Sequence, residues 1–300
     1  MDKITIHAMA KINLGLDVLR RRENGYHDVK MIMQTVDLYD TLSFKKSERP
    51  GIILYTDHDM IPCDESNLVY KAAAMLMEKY QVKQGVEISL QKQIPIAAGM
   101  AGGSTDAAAA FVGINRLFDL QISTETLKQM AVDIGADVPY CIEGGTALSE
   151  GIGEILSPLP TPPSCYLVIA KPDISVSTAY VYGNLQLEKL EHHPDIDGMI
   201  EAIKKGSLEE MCSLMENVLE TVTKEKHPVI GELEEILKAE GAIKSMMSGS
   251  GPTVFGIFKD KESAAKGLKA IENSGKCEQC IVTNFIDTAQ NIVEETTKEV

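Results

Sequence analysis

The spacing of hydrophobic and polar positions changes along the chain, and each change marks an element. Alternation with period two runs through 4–7, 13–19, 29–36, 41–44 and 52–55, which predicts half-buried strands. Residues 67–80 (NLVYKAAAMLMEKY) switch to helical spacing, with Ser66 as candidate N-cap. A strand over 86–90 ends near Pro95, and helices follow over about 104–118 and 123–134. The proline-rich stretch 156–163 (LSPLPTPP) interrupts the pattern and is the candidate boundary between domains 1–157 and 164–290. Beyond it come a buried strand at 165–170, helices at 207–225 and 228–239, and strands near 243–247 and 253–258. A helix over 261–273 and a strand over 279–286 complete the pattern, and the last ten residues read as a fraying charged end. This order predicts an α+β fold in both domains.

Composition narrows the possible partners. With 300 residues, 44% of them hydrophobic and 24% charged, the chain matches an ordinary globular enzyme. Its net charge is −15 and its longest basic run is Arg20-Arg21-Arg22, which argues against nucleic acid and anionic membranes as partners. Residues 1–15 lack the apolar run of a signal peptide, and no stretch of about 18 apolar residues occurs, so a cytoplasmic protein is expected. Six scattered cysteines fit a reducing compartment, and the lone Cys277-x-x-Cys280 pair carries little metal or redox meaning. There is no internal repeat. A monomer or weak homodimer acting on a small molecule is the expectation.

Candidate chemistry centres on Pro95–Thr105 (PIAAGMAGGST), which runs straight into the small-residue helix that begins with Asp106 and its alanines. Gly99, Gly102 and Gly103 leave the backbone bare where unpaired N–H groups and the dipole of a helix start would attract an anion. The plain alternative is a glycine-rich turn before a core helix. No lysine follows Gly103 as a Walker A loop requires, and the dinucleotide fingerprint G-x-G-x-x-G is missing. Lys11, in Ala10-Lys11-Ile12-Asn13, is either an edge charge or a functional cation, and Asn13 shares its face. Asp137, in GADVP, sits at a corner after Gly135, where Pro139 is expected to hold Val138 extended. It is either a turn aspartate or a desolvated base for a hydroxyl. Met247-Ser-Gly-Ser-Gly-Pro252 is a hairpin turn or a second phosphate-closing loop. Tyr26, His27 and Tyr182 are either partly buried rings or faces on which a nucleobase stacks.

Together, the segments AKINLGLDV, NGYHDV, SNLVYKA, PIAAGMAGGSTDAAA, GADVPYC, EGIGE and MSGSGPTVF resemble the GHMP kinase superfamily, in order, from about residue 8 to 258. The resemblance implies a ribosomal-protein-S5-like N-terminal domain and a ferredoxin-like C-terminal domain with the site between them. The combination of AKINLGL, GYH and GADVP points to the branch that phosphorylates the tertiary 2-hydroxyl of a methylerythritol linked to cytidine diphosphate, in non-mevalonate isoprenoid synthesis. Carried over by motif, Lys11 and Asp137 form the catalytic pair. Asn13, His27, Gly249 and Ser250 join them on the acceptor, with Tyr26 and Tyr182 sandwiching its cytosine. Ser66, Asn67, Leu68, Lys92 and Asp106 fall on adenosine positions, and Pro95 and Gly99–Thr105 (Gly99, Met100, Ala101, Gly102, Gly103, Ser104, Thr105) on the ATP phosphates. Asp106 replaces the commoner asparagine, Met100 a frequent leucine, and Ala97-Ala98 a more glycine-rich pair. The implied cofactors are ATP and Mg²⁺, with Ser104 as the side chain nominated for the metal. A mevalonate, diphosphomevalonate, homoserine or sugar kinase of the same superfamily is the alternative, and a silent nucleotide binder is a further one.

Overall fold

A computed structural model describes residues 2–288 and 290–293. Its first strand, β1 (Lys3–Arg21), turns back at once into β2 (His27–Ser47), and the two pair antiparallel over almost their whole length. The short strands expected at 4–7 and 13–19, and at 29–36 and 41–44, are therefore parts of two long ones. After β3 (Ile52–Thr56) comes α1 (Leu68–Lys79). Its cap is Asn67, whose Oδ1 accepts from the Val69 N–H at 2.8 Å, whereas the expected cap, Ser66, bonds to Asp64. β4 (Gly85–Gln91) pairs antiparallel with β2 and parallel with β3.

Three helices follow: α2 (Gly102–Leu117), α3 (Thr124–Ala131) and α4 (Val138–Glu143). Val138 is not extended as expected. It opens α4, because proline is tolerated in the first helical turn, where its missing N–H would have no partner. The hairpin of β5 (Thr146–Gly151) and β6 (Ile155–Leu159) then joins β2. Pro158 thus lies in a strand that pairs only with β5, an edge where a proline breaks no ladder. The connector proper starts after Leu159.

The second sheet is all antiparallel. β7 (Tyr166–Lys171) leads through α5 (Thr178–Asn184), α6 (Ile196–Lys205), α7 (Leu208–Leu214), α8 (Glu220–Lys226) and α9 (Val229–Ala239) to β8 (Lys244–Met247) and β9 (Val254–Phe258). α10 (Lys261–Ser274) and β10 (Gln279–Thr283) complete it in the order β10-β7-β9-β8. Sequence spacing missed α5 and α6, and its single helix at 207–225 is two, α7 and α8. The break between them is set by β1, where the Leu16 N–H donates to Glu216 O and the Val218 N–H to Leu16 O. The expected strand at 279–286 stops at Thr283. Phe285 bridges to Val36, and β11 (Gln290–Val293) pairs antiparallel with β1. Phe285 and residues 290–293 thus belong to the first sheet, although the expected second unit runs to 290. Of the end expected to fray, 291–293 lie in β11 and 294–300 lie outside the described residues.

β1 is the hinge of the core. Its register against β2 slips between Met9 and Lys11 and again between Asn13 and Gly15. Each such bulge reverses which face the following side chains take. Ile4, Ile6, Ala8, Leu16 and Val18 accordingly pack into the cluster with α1 and α2. Ala10, Ile12 and Leu14, between the slips, pack into the other cluster, with Ile196, Met199 and the second sheet. Lys11 and Asn13 are therefore turned to the helix side.

α2 lies close on this sheet because its inward residues are small: Ala107–Ala110 are fully buried. At Gly113 a Cβ would come within 2.6–2.7 Å of the Phe44 ring on β2. Gly113→Ala sets a gain in helix propensity of about 1 kcal/mol against overpacking of about 1–3 kcal/mol. The clash should win, so the urea midpoint should fall; an unchanged or raised midpoint would show that Phe44 can move aside.

Candidate active site

The glycine loop is anchored before it begins. On β2, the fully buried Asp40 accepts from the backbone N–H groups of Gln93 at 2.6 Å and Ile94 at 2.8 Å, and binds the Lys92 ammonium with its second oxygen. Lys92 also donates to Asp106 Oδ2 on α2 at 2.7 Å. Burial alone would lower the Lys92 pKa, but the two carboxylates more than offset it and raise it above its ordinary value. Burial, only partly opposed by Lys92, pushes the Asp106 carboxyl well up, and its Oδ1 has no partner.

Past this anchor the backbone takes a positive φ at every second residue, 51° at Ala97, 71° at Gly99 and 57° at Ala101. Alternating handedness of this kind turns successive N–H groups toward one concavity. α2 starts at its rim, and the N–H groups of Gly102, Gly103 and Ser104 have no acceptor among the described residues. Two bonds fasten the loop to β1: Lys11 N–H to Met100 O at 3.2 Å and Thr105 Oγ1 to Met9 O at 2.8 Å.

The loop, α2 and β1 open on a cavity of about 840 Å³. In it Lys11, only 5% exposed, donates to Asn13 Oδ1 at 2.7 Å and stands 3.8 Å from Asp137 Oδ2. Asp137 is the cap residue of α4, yet its side chain makes no capping bond. Its carboxylate is left facing the lysine. The second glycine loop forms the opposite wall. Ser248 Oγ donates to Gly99 O at 2.9 Å, and a Cβ at Gly99 would lie 2.2 Å from Ser248 O. The two loops thus touch at a point where only glycine fits.

At the other end, His27 and Tyr182 face each other with ring centroids 5.3 Å apart and planes tilted by 41°. Tyr182 comes from α5, whose cap Ser177 accepts from the Tyr180 N–H at 3.3 Å. Burial, with Arg21 as a lesser cause, lowers the His27 pKa and favours the neutral ring. Burial likewise pushes the Tyr182 phenol up, with the Asp137 charge adding to it. Tyr26 is 56% exposed at the mouth.

The cavity wall thus gathers Lys11, Asn13, Tyr26, His27, Asp137, Tyr182, Gly249 and Ser250, together with Leu68, Gly99, Ala101, Gly102, Gly103 and Ser104. Ser66, Asn67, Lys92, Pro95, Met100, Thr105 and Asp106 lie outside it. Asn67 caps α1, Met100 and Thr105 are buried beneath the loop, and Lys92 and Asp106 bind one another. Sequence reading missed Asp40, which looks like any polar residue of an alternating strand, and Thr178, whose Oγ1 lies 2.9 Å from Ser250 Oγ. The Ser177-Thr178 pair ahead of an apolar run was a legible helix-start signal.

Sequence profiles bear directly on this arrangement. The GHMP kinases N terminal domain matches residues 67–145 and the GHMP kinases C terminal domain matches 199–277. Both halves of the chain therefore carry the GHMP kinase pattern. Among proteins, the chain is 49% identical over 288 residues to the 4-diphosphocytidyl-2-C-methyl-D-erythritol kinase of Lachnoclostridium phytofermentans, covering 96% of this chain and 99% of that one. It is 50% identical over 283 residues to the kinase of the same name from Lachnospira eligens, covering 94% and 98%. The chain belongs to the 4-diphosphocytidyl-2-C-methyl-D-erythritol kinase family. A crystal structure of 4-(cytidine 5'-diphospho)-2C-methyl-D-erythritol kinase superposes with a TM-score of 0.79 at 29% identity, over 94% of this chain and 98% of that one. A homoserine kinase from Cytophaga hutchinsonii reaches 0.82 at 20% identity over 98% of both, a likeness of fold alone.

Gly99→Ala should force the two glycine loops apart. A shift of about 1 Å there should lower kcat/KM for ADP release roughly 100-fold. An unchanged kcat/KM would mean that the loops need not touch.

Proposed function

We propose that this chain transfers the γ-phosphoryl group of ATP to the 2-hydroxyl of 4-diphosphocytidyl-2-C-methyl-D-erythritol, the compound named in the kinase names of its relatives. The observation that carries the reading is the order of groups along one cavity: unpaired N–H groups of α2, then the Lys11–Asp137 pair, then the His27–Tyr182 rings. That order matches donor phosphates, reacting hydroxyl and cytosine.

An alkanol gives up its proton too reluctantly to lose it before attack. Asp137 would hold the hydroxyl in line and accept the proton late, while most of the rate comes from positioning and charge stabilisation. Lys11, 3.8 Å from that carboxylate, would lie beside the phosphoryl group in flight and offset its developing charge. Asn13 fixes the ammonium by accepting from it. Backbone N–H groups of the loop and of α2 would cradle the phosphates without adding formal charge.

Among the described residues no cluster of three or more acidic, histidine or cysteine side chains forms a ready cation cage. Mg²⁺ held mainly by nucleotide phosphates and water needs only one or two protein ligands. The Ser104 hydroxyl, on the cavity wall and with no partner among the described residues, fits that demand. When bound, the ion would neutralise charge on the phosphate oxygens. No described helix is long and apolar enough to cross a membrane.

ADP release should be measured with the cytidyl acceptor, mevalonate and homoserine side by side. Turnover confined to the first supports the reading; turnover with another acceptor replaces it. Asp137→Asn keeps the shape and removes the base, so kcat should fall about 10²–10⁴-fold; a near-normal kcat would remove Asp137 from its role. Tyr182→Ala should weaken the acceptor by roughly 1–3 kcal/mol if the ring stacks its base and leave the KM for ATP alone. An equal loss for ATP would move Tyr182 out of the acceptor pocket.

A further inference from the structure

The second glycine loop is held from behind by side chains of α8 and of the segment just ahead of it, none of which lines the cavity. Asn217 is buried and donates both amide hydrogens to the loop, to Met247 O at 2.9 Å and Gly249 O at 2.8 Å. Its Oδ1 accepts from the Leu219 N–H at 3.0 Å, so the amide has no freedom to flip. Glu220 Oε1 accepts from the Met247 N–H at 2.7 Å, and Thr223 Oγ1 lies 3.3 Å from Ser250 O. Glu220 and Thr223 stand at i and i+3 on α8, neighbours on its surface, and Asn217 lies just ahead of the helix.

The two carbonyls that Asn217 holds flank Ser248, the residue whose hydroxyl closes onto Gly99. Its peptide neighbours face the other way. The Leu16 N–H donates to Glu216 O at 2.9 Å and the Val218 N–H to Leu16 O at 3.1 Å, so residue 217 forms a parallel bridge with β1. Leu16 lies on the strand that carries Lys11 and Asn13. One residue is thereby joined through its backbone to the strand of the lysine and through its side chain to the opposite wall of the cavity. No apolar side chain could make that link, because both carbonyls would be left without a donor in the interior.

We infer that Asn217 is a positioning residue that sets the Ser248–Gly251 loop at its working distance from Lys11, Asn13 and the first glycine loop. It acts through the loop and touches no substrate. The inference rests on the proposed reading of that loop as a wall of the phosphoryl-transfer site.

The test uses the purified full chain with Asn217→Ala and Asn217→Asp, with kinetics normalised to the folded fraction measured by circular dichroism. The aspartate keeps the shape but sets an acceptor against two carbonyl oxygens. The expected order of kcat per folded molecule is wild type, then alanine, then aspartate, with the alanine variant down roughly 100-fold, the cost of about 1 Å of misplacement at a reacting site. KM for ATP should change little, because the N–H groups of α2 are untouched. A wild-type kcat per folded molecule in Asn217→Ala overturns the inference and leaves Asn217 a contributor to stability alone. If neither variant folds, the near-isosteric Thr223→Val decides: a several-fold loss of kcat with the melting temperature kept supports the positioning frame, and no loss refutes it. A wild type that turns over a different acceptor refutes the proposed substrate, and the same ratio measured on that acceptor still decides for or against Asn217.

Discussion

β1 is buried on both faces for much of its length and still carries an ammonium group and an amide. Taking a lysine out of water costs several kcal/mol unless partners replace the lost solvation. Two slips of register, one on each side of Lys11–Asn13, meet that constraint by turning both residues toward the helices, where Asn13 Oδ1 and the Asp137 carboxylate receive the charge. Without the slips, an unbroken alternation would send Lys11 and Asn13 to the opposite side of the sheet. The same strand takes a bond from Thr105, gives one to Met100 and bridges to residue 217. Both glycine loops are therefore hung from one strand, and their separation depends on its geometry.

A protein with a net charge of −15 must attract anionic ligands locally. What the described structure offers for this is mainly backbone. Of the cations near the loop, Lys92 is engaged by Asp40 and Asp106 and serves to bind β2, the loop entrance and α2 together. Lys11 stands in the cavity itself. The N–H groups of Gly102, Gly103 and Ser104 at the start of α2 add donors without formal charge, the arrangement that suits an anion in an acidic chain.

The fold likeness to homoserine kinase is as close as that to the cytidyl kinase, so the shape of the chain does not select an acceptor. The far end of the cavity is built from side chains of two segments, His27 at the start of β2 and Tyr182 in α5. Their facing rings are a feature of two distant segments. In the proposed reading the fold supplies the donor chemistry, and these rings, set on it from two segments, recognise the acceptor.

The sequence alone determined the parts whose physics is local. The glycines before an alanine-rich helix, the lysine between apolar neighbours, and GADVP at a corner were legible because backbone freedom, helix starts and strand patterns act within a few residues. So were most strands and helices, although Ser66 lost its capping role to Asn67 and Val138 entered a helix. Tertiary structure decided what depends on distant partners. It sent Phe285 and residues 290–293 back to the first sheet, drew Lys92 and Asp106 into one buried cluster with Asp40, and brought Lys11 to Asp137 across 126 residues of chain. It also set the bulges in β1, since register answers to the two cores that a strand must fill at once, and no single stretch of sequence contains both.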